Sequence, residues 1–128
     1  MLQHLRTRVA ELLAGPHQAM LATCGPGDIQ AGLFPCQAQG LRLYLLVPRA
    51  SDHLFNLEVN PDVVVATHRW QLRGRARILA AEDAQEALHL DEFGDLRWSV
   101  LVEVVPLRLQ VAAESGGLTV ETIDVDGD

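Results

Sequence analysis

Short apolar stretches, interrupted every few residues by glycine, proline or aspartate, set the tightest limit on how this chain folds. "QAMLATC" (18–24) runs into Gly25-Pro26-Gly27-Asp28, "IQAGLFPCQA" (29–38) into Gln39-Gly40, and "LRLYLLV" (41–47) stops at Pro48. Each stretch has strand length and each break has turn composition. Leu41, Leu43, Leu45 and Val47 alternate with Arg42, Tyr44 and Leu46, the period of a pleated strand. Connections this short join strands only as antiparallel neighbours. Pro35 predicts an edge or a bulge, because proline cannot donate to a ladder. A bulge there would turn backbone groups toward a ligand.

Other stretches carry a helical period. Leu2, Leu5, Val9, Leu12 and Leu13 form one stripe over residues 2–14, and Gly15-Pro16 ends it. In "SDHLFNLEVNP" (51–61), Ser51 is the expected N-cap and Asn60-Pro61 the stop. "AEDAQEALHLDEF" (81–93) predicts a third helix with acidic residues in its first turn. The remaining strands are "DVVVATH" (62–68), "WQLRGRARILA" (70–80), "WSVLVEVVPLRLQVAAE" (98–114, broken at Pro106) and, after Gly116-Gly117, "LTVETIDV" (118–125). An acidic tail at about 124–128 is expected to fray. The order predicts a mainly β chain: one domain over residues 1–128, an antiparallel β-barrel with peripheral helices.

At 128 residues and 48% apolar content the chain can bury a real core. A net charge of −7 argues against nucleic acid as a main partner. No apolar run has the length of a membrane span. The first residues have no signal-peptide pattern, and a cytoplasmic location is expected. Cys24 and Cys36 form no metal or redox spacing and read as buried thiols; His17, His53 and His68 make no metal pair.

The ordered set "MLATCGPGDIQAGLFPCQAQGLRLYLLVPRASDHLFNLEVNPDVVVAT", followed by "LRGRARIL", resembles the FMN-binding split β-barrel family, the superfamily of pyridoxamine 5′-phosphate oxidase. The resemblance spans roughly residues 1 to 115. It implies a barrel split on one side, working as a homodimer with FMN in clefts between subunits. The flavin ring would rest on Leu33, Phe34, Pro35 and Cys36. The phosphate would lie at Val47 to His53, with Arg49, Ser51 and His53 as its contacts. Where many family members carry two basic residues after the serine, this chain has Asp52 and His53. The pattern Ser51-x-His53-x-x-Asn56-Leu57-x-x-Asn60-Pro61 is similar to the haem-utilisation branch of the same superfamily, which makes haem the alternative cofactor and His53 its first ligand to test. Arg69 aligns with a glutamine that reaches the flavin of the other subunit in the oxidase itself.

Each of these residues has a plainer reading. Ser51 caps a helix and Asp52 suits the helix dipole without any ligand. Arg49 has Glu58 as an ordinary surface partner. His53 reads as a surface helix residue, and Arg69 as an exposed strand-edge cation. Arg73, Arg75 and Arg77 alternate on a solvated face. Cys36 reads as packing, and Trp70 and Trp98 as core or dimer-interface residues. The expected function is FMN binding, with flavin-dependent oxidation or reduction of a small-molecule substrate. The alternative is a split-barrel binding module without flavin, or a haem-binding relative. No catalytic side chain is nominated.

Overall fold

The computed structural model describes residues 3–80, 82–83, 96–112 and 120–125. The elements run α1 (Gln3–Ala14), β1 (Gln18–Thr23), β2 (Gln30–Gln39), β3 (Arg42–Pro48), α2 (Asp52–Val59), β4 (Asp62–Ala66), β5 (Trp70–Ile78), β6 (Ser99–Ala112) and β7 (Val120–Asp124). The third expected helix lies outside the described residues, save for Glu82 and Asp83. So do the Gly116-Gly117 turn and the last three residues of the tail.

All strand pairings are antiparallel, in the order β3-β2-β1-β4-β5-β6-β7. A further pairing of β3 with β6, from Leu43↔Val104 to Pro48↔Ser99, closes six strands into a barrel. β6 is long enough, at 14 residues, to serve two neighbours on one edge: its first half pairs with β3 and its second with β7. The barrel interior holds Leu21, Leu43, Leu45, Val47, Val65, Leu72, Val102, Val104 and Leu109. Val9 and Leu13 of the α1 stripe are fully buried and belong to this cluster. Trp70 is buried there too, its indole N–H donating to Leu12 O at 3.0 Å.

The two-residue alternation fails on β3, where Leu43 to Val47 are all buried. Tyr44, Leu46 and Leu101 face outward and form a second cluster with Leu79, against which Leu96 packs. The Tyr44 hydroxyl donates to Glu103 at 3.1 Å, and Arg77 Nε donates to the same carboxylate at 2.9 Å. Burial, first, and the Glu103 charge push the Tyr44 hydroxyl above its usual range.

Pro35 lies at the split. β2 pairs with β3 only from Cys36 onward, so Gln30–Pro35 have β1 as their one strand partner among the described residues. The register from Gln18↔Pro35 to Thr23↔Gln30 has no shift, so Pro35 marks an edge and not a bulge. The irregularity sits elsewhere, between Arg73 and Gly74, where Leu107 is the extra residue and β6 runs through Pro106 unbroken. Among the described residues no helix is long and apolar enough to cross a membrane.

Candidate functional site: the split and the start of the second helix

Successive peptide groups of a strand point to opposite edges. Cys36 N donates to His17 O on the β1 side, at 2.8 Å. The Ala31 and Leu33 peptides, at alternate positions, therefore face the open edge of β2. The Pro35 nitrogen faces it as well, which is why a residue without an N–H is tolerated there. The Leu33 side chain is 58% exposed on the outer surface. Phe34 turns inward, half-buried, and meets the His53 ring edge-to-face at a centroid distance of 5.2 Å.

The start of α2 lies beside this strand, with His53 against Gly32 and Phe34. Ser51 caps the helix, its hydroxyl oxygen accepting from His53 N at 3.2 Å, and Asp52 stands exposed in the first turn. His53 and Asn56, three residues apart, share the inner face. Asn56 is fully buried, and its amide ties three elements together. Oδ1 accepts from Gly27 N at 2.7 Å; Nδ2 donates to Asp28 O at 2.9 Å and to the Thr23 hydroxyl oxygen at 3.0 Å. These bonds hold the turn between β1 and β2, in which Asp28 has φ of 69°, a left-handed conformation that a side chain disfavours. The Thr23 hydroxyl in turn lies 2.7 Å from His53 Nδ1.

His53 is therefore no surface residue: it is 4% exposed. Burial pulls its pKa below 6.5, and the Asp52 charge opposes that shift. A Cβ on Gly32 would stand 3.0 Å from the tip of Phe34 and 3.3 Å from His53 Nε2, so the bare glycine makes room for both rings. Nε2 has no hydrogen-bond partner among the described residues, and no fully buried side-chain nitrogen or oxygen there is unpaired. This atom lies against Gly32 of β2.

The remaining expected site residues are placed as follows. Arg49 does not pair with Glu58: its Nε donates to Leu96 O and Arg97 O at 3.3 and 3.1 Å, and Nη2 donates to Leu96 O at 2.7 Å. It borders a cleft of about 270 Å³ lined by Ile78, Leu79 and Val100. Val47 is fully buried in the barrel, so only its backbone is available to a ligand. Cys36 is buried, donates weakly to Pro16 O at 3.5 Å, and has its thiol pKa pushed up to about 11 by burial. That thiol stays protonated and unreactive near neutral pH. Cys24, expected to be buried, is exposed just past the end of β1. Arg69 is exposed in the turn between β4 and β5, beyond the end of β1 opposite Thr23. It lines a separate cleft of about 510 Å³ with Arg8, Glu11, Thr67, His68 and Trp70. Within one chain, Phe34, Ser51 and His53 come together, Leu33 points outward from the same strand, and Arg69 stands apart. Trp98, unlike Trp70, is 74% exposed. Arg75 and Arg77 pair with Asp62 and Glu103 across the outer sheet face. Among the described residues no group of three or more His, Cys, Asp or Glu is arranged to hold a metal ion.

No protein-family model and no curated protein matches the sequence. Solved structures do. General stress protein 26 of Bacillus anthracis superimposes with a TM-score of 0.72 at 17% identity, over 96% of this chain and 100% of that one. A protein related to general stress protein 26, of the pyridoxinephosphate oxidase family, from Clostridium acetobutylicum does so with a TM-score of 0.73 at 15% identity, over 98% and 97%. The fold is that of the pyridoxamine 5′-phosphate oxidase-like split barrels. The heme storage protein HutZ of Vibrio cholerae shares it, with a TM-score of 0.59 at 18% identity over 86% of this chain and 94% of that one. The haem-utilisation likeness seen in the sequence thus has a structural counterpart. Thr23 is the site residue that sequence reasoning missed, because nothing local in "LATC" says that its hydroxyl meets a helix thirty residues later.

Proposed function

We propose that the chain binds FMN at the split, as a flavin-dependent oxidoreductase of the pyridoxamine 5′-phosphate oxidase-like type. The observation that supports this most is the open edge of β2 beside the start of α2. The Ala31 and Leu33 peptides offer alternating donors and acceptors, which suit the polar edge of a flat heteroaromatic ring. His53 Nε2 is unpartnered at the same place, and Arg49 keeps Nη1 without a partner among the described residues. These residues fit the ring and the phosphate. Bound flavin would supply the hydride chemistry, and the protein would orient it and shield it from water. The relatives with this fold lend the reading support; one of them is placed in the pyridoxinephosphate oxidase family.

The test is an absorbance spectrum of the purified chain followed by FMN titration. Flavin bands, or micromolar FMN affinity that drops at least tenfold in Arg49→Ala, support the reading. A colourless chain without affinity supports the second reading, a split-barrel binding module without flavin. Two observations favour that alternative: Arg49 already spends Nε and Nη2 on backbone carbonyls, and Asp52 puts a negative charge at the helix start.

The same proposal includes a homodimer. Met20, Leu33 and Val64 lie on one outward face of β1, β2 and β4, with Met20 40% and Leu33 58% exposed. A second copy covering this face is the arrangement in which the Arg69 of one subunit is proposed to serve the cleft of the other.

A further inference from the structure

The hydrogen bonds behind His53 determine which of its ring nitrogens carries the proton. The amide orientation of Asn56 is settled by two backbone groups of fixed character. Gly27 N–H can only donate, so it meets Oδ1; Asp28 C=O can only accept, so it meets Nδ2. The second Nδ2 hydrogen then points at Thr23 Oγ1. Thr23 receives that hydrogen, and among the described residues the acceptor open to its own hydroxyl hydrogen is His53 Nδ1, 2.7 Å away. Nδ1 must then present its lone pair. A neutral imidazole with an accepting Nδ1 carries its hydrogen on Nε2, the atom that lies against Gly32 of β2 and has no hydrogen-bond partner among the described residues.

We infer that Thr23 and Asn56 are positioning residues that hold His53 as a neutral Nε2–H donor, so that the cleft recognises an anionic oxygen such as a phosphate and not a metal centre. A histidine that ligates a metal through Nε2 offers the lone pair there and donates from Nδ1 to a carboxylate, a carbonyl or water. The chain behind His53 is built in the opposite sense. This reading rests on the split being the ligand site proposed above, but its primary readout needs no cofactor.

The test is the side-chain 15N spectrum of His53 in the ligand-free full chain at pH 8, assigned by comparison with His53→Gln. The wild type is expected to show Nε2 protonated and Nδ1 as a hydrogen-bonded acceptor. Thr23→Ser is expected to preserve that signature, and Thr23→Val to move the Nδ1 resonance to the position of free imidazole. A wild-type ring protonated on Nδ1, or an Nδ1 resonance indifferent to Thr23→Val, overturns the inference. Should Thr23→Val fail to fold, the wild-type and Thr23→Ser spectra decide. Inorganic phosphate added to the wild type is expected to shift the Nε2 resonance, and no shift counts against the anionic ligand. A haem Soret band lost in His53→Gln overturns the inference outright. FMN that fails to bind while phosphate still moves Nε2 would sink the flavin reading and leave this one standing.

Discussion

Asn56 is where a single side chain matters most. Its amide makes three hydrogen bonds in a site with no access to water. Truncation leaves Gly27 N–H and Asp28 C=O in the turn without their partner and takes from the buried Thr23 hydroxyl the donor it accepts from. Asn56→Ala is expected to cost about 2–4 kcal/mol, read as a lower urea midpoint at unchanged slope. His53 adds a pH dependence whose sign follows from its lowered pKa. The unfolded chain binds a proton near pH 6.5 and the folded chain only at lower pH, so the unfolded state gains as pH falls. Stability is complete above about pH 6.5 and declines below it until the folded-state pKa is passed. Denaturation of wild type and His53→Gln at pH 8 and pH 5.5 checks this; a wild type as stable at pH 5.5 as the variant's own trend predicts would refute it. The sequence showed the i, i+3 spacing of these two residues and the Ser51 cap. It did not show that His53 is buried, because Thr23, Gly32 and Phe34, which meet its ring, lie on strands 19 to 30 residues earlier.

At the scale of elements, β5 and β6 are held close by Gly74. A Cβ at that position would meet Val105 O at 2.6 Å and Val104 Cγ1 at 2.9 Å. The first contact is backbone, which cannot swing aside. Gly74→Ala is expected to destabilise by about 2–3 kcal/mol. Gly15→Ala, where the nearest atom is 3.9 Å away, should stay within about 0.5 kcal/mol. Thermal melts of the two variants side by side test the contrast. Strand positions were legible to within a residue or two, since the Gly and Pro breaks fix them. The shift beside Gly74 was not, because it depends on how β6 serves β3 and β7 on one edge and β5 on the other. "WSVLVEVVPLRLQV" reads as one strand broken at proline; β6 instead runs on as one strand and takes up the irregularity itself, with Leu107 beside that proline as the extra residue.

For the whole molecule, the outward face of β1, β2 and β4 tests the proposed dimer. Leu33→Glu places a charge on that face without touching the barrel interior, since the Leu33 side chain points away from it. Light scattering is expected to report a dimer for the wild type and a monomer for the variant, with the melting temperature of the monomeric fold little changed. A monomeric wild type at micromolar concentration would remove the shared cleft, and with it any route for Arg69 to reach the split.

The sequence by itself determined the order of the described strands, their antiparallel pairing, the cap of α2 and that Pro35 stands where the ladder is incomplete, at an edge or a bulge. Each of these follows from local rules: a period of two, a turn too short for a crossover, a hydroxyl before a helix, a nitrogen without a hydrogen. Tertiary structure alone decided which edge stays open, that Arg49 clasps the carbonyls of Leu96 and Arg97, and that Thr23 and Asn56 meet behind His53. Those outcomes depend on barrel closure, which brings together residues that no local pattern connects.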